Sequence, residues 1–173
     1  MQVGTKVVGR AVMAAVIGSG AAGIGCGCTS PKKVNIDVSL SEQAIAMGAR
    51  TEVDVIAVSD PSTLQAMNLS RYFAGGDRTR ASRKANGEVW SFELTPDNPT
   101  MSLKANDPMW REAWKGDTTL FVLADLLGVM ERNGYDPRRE SISLDCEQWT
   151  GSKSLGVTVG DAGITLNSGA SGK

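Results

Sequence analysis

The run Thr118-Thr119-Leu120-Phe121-Val122-Leu123-Ala124 carries no charge and does not alternate. A strand with one face in water alternates apolar and polar residues. A short continuous apolar run suits a strand covered on both sides. This one is too short for a buried helix and is expected at the centre of a sheet. Just before it stands Asn106-Asp107-Pro108, a helix-start signal. Trp110, Ala113 and Trp114 then lie at the spacing of one apolar face of a short helix, closed by Gly116. That spacing predicts burial of the tryptophans near the start of the central strand.

Outward from this run the chain repeats one pattern. Val34, Ile36, Val38 and Leu40 alternate with Asn35, Asp37 and Ser39, a half-buried strand. Thr51 to Val58 is a second strand, with Val53, Val55 and Ala57 on one side. On its other side Glu52 and Asp54 give way to Ile56 and Val58, so that side enters the core partway along. Asp60-Pro61 starts a short helix with Leu64, Met67 and Leu69 facing inward. Trp90, Phe92 and Leu94 alternate in a strand from Glu88 to Leu94. Pro96 to Pro99 is a turn, and Met101 and Leu103 carry a return strand, read together as a hairpin. Asp125 to Gly128 is a turn, and Val129 to Gly134 a helical turn. Ile142, Leu144 and Cys146 share a face of a strand from Glu140 to Cys146. Leu155, Val157 and Val159 pair through the turn Asp161-Ala162-Gly163 with Ile164 and Leu166. The sum is about eight short strands with two or three short inserted helices, a mainly β chain folded as an antiparallel β-sandwich. It spans residues 34–167; residues 168–173 are a Gly/Ser tail expected to be disordered.

The 173 residues include 18 basic and 19 acidic ones and no His. Near-neutral charge argues against nucleic-acid binding. The absence of His removes the usual general base and the commonest metal ligand. No phosphate loop, dinucleotide fingerprint or nucleophile elbow is present. No catalytic residue, metal or cofactor is therefore assigned. A hydrolase using carboxylates such as Asp37, Asp54 or Asp125 is the catalytic alternative, and those acids sit on polar strand faces or turns.

Residues 1–25 read as an export signal. Lys6 and Arg10 precede the apolar run Ala11 to Ile17, and small residues follow to Gly25. The apolar part is too short to span a bilayer permanently. Cys26 and Cys28 stand at its exit, before a polar tether ending at Lys33. A Cys after small residues at this place resembles a bacterial lipoprotein signal, cleaved before Cys26, or alternatively before Cys28; Gly23 stands where Leu or a similar residue is usual. The resemblance implies a lipid on the Cys and attachment to a membrane of the cell envelope, facing the periplasm. The alternatives are an ordinary secreted protein and a retained single-span anchor. Cys146 is read as a small apolar strand residue, with a bridge to Cys28 as an alternative.

Residues 71–88 read as an exposed excursion. Tyr72 and Phe73 lead into Gly75-Gly76, then Arg78, Arg80, Arg83 and Lys84. This is either a docking surface, for an acidic partner, phosphate groups or peptidoglycan, or a solvated loop. Charge runs are commonly solvated, which favours the loop, while Tyr72 and Phe73, read as exposed aromatics, add some weight to docking.

A Cys near the end of an export signal, a sandwich of this length and a helical insertion after the second strand together resemble the outer-membrane lipoprotein family of type VI secretion systems. The resemblance implies a transthyretin-like sandwich of two sheets. It also implies a partner, the periplasmic end of a large inner-membrane protein, bound by the loop between the first two strands. By position that loop is Ser41 to Arg50, with Ser41, Glu42, Gln43, Ile45, Met47 and Arg50 as candidate contacts. The alternative function is an exported ligand-binding module for glycan or cell wall, which needs Trp110, Trp114 or Trp149 exposed in a groove.

Overall fold

The structure is a computed structural model and describes residues 33–75, 77–144 and 154–167. Cys26, Cys28, Cys146, Trp149, the leader and the Gly/Ser tail lie outside the described residues.

Eight strands form two four-stranded sheets. They are β1 (Asn35–Leu40), β2 (Thr51–Val58), β3 (Val89–Leu94), β4 (Thr100–Leu103), β5 (Thr119–Ala124), β6 (Arg139–Ser143), β7 (Ser154–Gly160) and β8 (Gly163–Asn167). One sheet has the order β4-β1-β7-β8 and the other β3-β2-β5-β6. Every neighbouring pair is antiparallel except β1 and β7, which run parallel with Asn35 opposite Ser154 and Leu40 opposite Val159. The mainly β sandwich expected from the residue pattern is the fold observed. Four short α-helices are described, one more than expected: α1 (Glu42–Ala46), α2 (Ser62–Gln65), α3 (Leu69–Phe73) and α4 (Arg78–Ala85).

The central run behaves as its composition requires. Leu120, Val122 and Ala124 of β5 point between the sheets and meet Ile36, Val38, Val53, Val55 and Val157. Phe121 and Leu123 point the other way, into a second cluster with Ile56, Leu64, Leu69 and Tyr72 beneath α2 and α3. Both faces of this strand are therefore dry. Full burial of each such side chain contributes roughly 1.5–3 kcal/mol. β2 follows the same logic, its outer face entering the second cluster at Ile56.

Four local expectations are corrected. The Trp segment forms only a 3-10 turn, Pro108–Trp110, capped by Asp107. Its burial is as expected, with Trp110 and Trp114 packed edge to face at 5.1 Å. β3 and β4 do not form a hairpin, because they lie in different sheets and the Thr95–Asn98 turn carries the chain across. The half-buried Trp90 and Phe92 thus sit at a sheet edge, where no neighbouring strand shields them. Val129 to Gly134 is not helical; a turn closed by pairing of Arg132 with Tyr135 takes its place. Where residues 71–88 were expected to be a loop, the end of α3 and all of α4 are helical.

Candidate functional site

α1 fills the connection between β1 and β2. Ser41 caps it, accepting a hydrogen bond from the Ala44 amide at 3.1 Å. Buried Ala44 faces the core, and the helix is too short to persist alone. It is held from the side: the Ser41 amide donates to the Val159 carbonyl, and Gln43 Nε2 donates to Asp161 Oδ2 at 3.0 Å. The β7–β8 turn therefore sets where α1 sits. Opposite it, the Asp125 amide donates to the Glu52 carbonyl and fixes the start of the β5–β6 connection.

Between these three connections lies a groove of about 380 Å³. Its floor is Leu40, Ala44, Leu126 and Val159, and its rim is Met47 and Leu127 with Arg50, Asp125 and Asp161. Met47 is 58% exposed and Leu127 92% exposed. Met47 and Leu127 are thus apolar side chains held out in water beside an apolar floor. Of the residues assigned to the first loop, Glu42, Gln43, Met47 and Arg50 are exposed, while Ser41 and Ile45 are half-buried. Arg50 reaches Glu93 at 3.7 Å. The reading of the sequence made Met47 a candidate contact only through the family resemblance, by loop position. It missed Leu127, which it read only as part of a turn; the doubled Leu126-Leu127 at a turn was the available signal.

The basic stretch is a different object from the one expected. Tyr72 is fully buried and its hydroxyl donates to Asp54 Oδ2 at 2.9 Å. Arg80 donates to the same carboxylate through Nε at 2.8 Å and Nη2 at 3.2 Å, and Nη2 also meets Glu52 at 2.8 Å. Ser91 donates to Asp54 Oδ1 at 2.5 Å. The Arg80 guanidinium lies 4.6 Å from the Phe73 ring centre and 5.5 Å from that of Tyr72. Arg83 pairs with Glu88 at 3.3 Å. Arg78 and Lys84 remain exposed. Tyr72 and Arg80 are corrected as exposed docking residues: the second core cluster and Asp54 take them up.

Asp54 is likewise corrected as a surface acid, since it is fully buried. Burial alone would raise its pKa. The hydrogen bonds from Arg80, Ser91 and Tyr72, with the Arg80 charge, hold it below the usual carboxylate value instead. The same burial and the neighbouring carboxylate push the Tyr72 hydroxyl well above the usual phenol range. With four donors on two oxygens, Asp54 has no lone pair left to act as a base. Asp37 on β1 accepts from Ser102 on the adjacent β4, in the sheet that does not hold Asp54. A second buried pair, Asp136 with Arg138, joins Nη2 to Oδ2 at 2.8 Å, and Arg138 Nη1 donates to Ser70. Of the tryptophans a glycan site would need, Trp110 is 3% and Trp114 2% exposed, and Trp149 lies outside the described residues. Trp114 Nε1 donates inward to the Glu88 carbonyl.

No protein-family model matches the chain. No curated protein matches it either. Solved structures do. Serratia marcescens Lip, a membrane bound component of the type VI secretion system, is 12% identical with a TM-score of 0.50, covering 79% of this chain and 96% of that one. The type VI secretion lipoprotein TssJ1 from Pseudomonas aeruginosa is 12% identical with a TM-score of 0.47, covering 79% and 95%. The C-terminal domain of the type VI secretion protein TssM from EAEC is 14% identical with a TM-score of 0.48, covering 78% and 96%. The likeness to Lip is one of fold, in outline, over most of the chain.

Proposed function

We propose that this chain is a non-catalytic envelope lipoprotein of a type VI secretion membrane complex. A lipid on Cys26 attaches it to a membrane on the periplasmic side, and the groove between α1 and the β5–β6 connection docks a partner protein. The observation that carries the docking reading is the groove itself, an apolar floor with Met47 and Leu127 standing in solvent at its rim. Its position supports an anchored role. β1 runs roughly 20 Å from Asn35, next to the tether, to Leu40 at the groove. A lipid upstream of residue 33 would thus hold the groove facing away from the bilayer. The leader and the likeness in fold to Lip support the envelope assignment. A fold alone does not carry a function, so the docking surface is the element to test.

The test has two arms. Cys26→Ser is expected to move the protein from the membrane fraction to the soluble one. Met47→Asp with Leu127→Asp is expected to abolish crosslinking to a large inner-membrane protein while leaving membrane attachment intact. Membrane attachment unchanged in Cys26→Ser and in Cys28→Ser would remove the lipid anchor from the reading.

A further inference from the structure

We propose that the occupant of the groove is a basic apolar segment, an extended or helical stretch carrying Lys or Arg beside aliphatic residues. This inference rests on the docking reading above and adds the chemistry of what is docked. It follows from charge complementarity. Two carboxylates, Asp125 and Asp161, stand at the rim, and the one cation there, Arg50, is already turned to Glu93.

Asp125 is the informative one. It is half-buried, yet among the described residues no hydrogen bond or ion pair reaches its carboxylate. Its cationic neighbour Arg138 gives its side-chain hydrogen bonds to Asp136 and Ser70. Arg138 acts on Asp125 through its charge alone, and a partly buried carboxylate that lacks a hydrogen-bonded cation gains from one brought by a ligand. Asp161 gives only one oxygen to Gln43 and keeps the other free among the described residues. The apolar component follows from the same rim. Leu127 and the adaptable thioether of Met47 flank the floor, and a bare cation would leave both in water. A segment with a cation next to aliphatic side chains satisfies all of these groups together.

Selection of a random dodecapeptide display library on the full chain in detergent tests this. The expected sequences carry Lys or Arg beside Leu, Ile, Val or Met. A representative peptide is expected to lose about tenfold in affinity on Asp125→Lys and about tenfold on Leu127→Ser, and to weaken with added salt. Asp125→Asn, which keeps the shape, is the companion variant, and unchanged thermal unfolding shows that each variant folds. Neutral or acidic peptides that need Leu127 but ignore Asp125→Lys would overturn the basic occupant and leave the docking surface standing. Peptides indifferent to both Met47→Ser and Leu127→Ser would overturn the surface as well.

Discussion

Asp54 sits at the centre of the largest buried polar cluster described, and what surrounds it decides its role. A carboxylate stripped of water is tolerated because Arg80, Tyr72 and Ser91 replace the lost hydration. Its worth is therefore conditional: removing it leaves a guanidinium that is only 11% exposed with the half-exposed Glu52 as its remaining carboxylate. Asp54→Ala is expected to cost roughly 3 kcal/mol in urea unfolding, the low end of the penalty for breaking a buried charge pair, because Glu52 still meets Arg80; a loss below about 1 kcal/mol would refute the cluster's role. The pH dependence has a definite sign. Burial opposes ionisation of Asp54, but its hydrogen bonds overcome this and set the folded pKa below the usual carboxylate range. The stabilisation is thus present above the unfolded pKa and lost as pH falls through the folded one. The stability difference between wild type and Asp54→Asn is expected to be constant near neutrality and to shrink below about pH 4. Asp136, held low by Arg138 against the effect of burial, adds a second contribution of the same sign in both proteins.

α4 shows how an element can be held without a core face. None of its residues is buried, so packing does not hold it. It is tied to the sheet by Arg80 on Asp54 and Glu52 and, at the entry to β3, by Arg83 on Glu88, while Asp77 caps its own first turn. Arg80→Ala is expected to raise amide exchange over residues 78–85 at least about tenfold while β5 stays protected. Equal acceleration in both would mean that α4 is part of the global core. β5 is the contrast. Phe121→Ala is expected to cost about 3–5 kcal/mol, because it opens a cavity between the sheet and α3. At the β7–β8 turn, Gly163 has φ +141°, and a Cβ there would lie 2.7 Å from the Pro137 ring and carbonyl oxygen. The Ile164 amide also bonds that carbonyl, so the neighbour cannot retreat freely. Gly163→Ala is expected to lower the melting temperature measurably, whereas an exposed Ser for Asp161 is expected to change it little.

At the scale of the whole molecule, the groove lies at the Leu40 end of β1, away from Asn35, where the described chain enters the sheet. Stability and docking should therefore separate. Leu127→Asp touches a residue 92% exposed and is expected to leave unfolding within about 0.5 kcal/mol of wild type while removing partner binding. Loss of stability alongside binding would mean that the Leu127 connection is structural.

The amino-acid sequence by itself determined the mainly β fold, most strand positions and the dryness of the central run, because burial on one or both faces leaves a period-two or continuous apolar trace in adjacent residues. The tertiary structure alone decided that β1 pairs parallel with β7, that β3 and β4 lie in different sheets, and that Asp54, Tyr72 and Arg80 meet inside. It alone brought Leu127 beside Met47. The physical reason is common to all four. A side chain's own pattern reports whether a face is dry, but its partners come from residues far along the chain. For a charged group, only those partners decide whether burial is affordable.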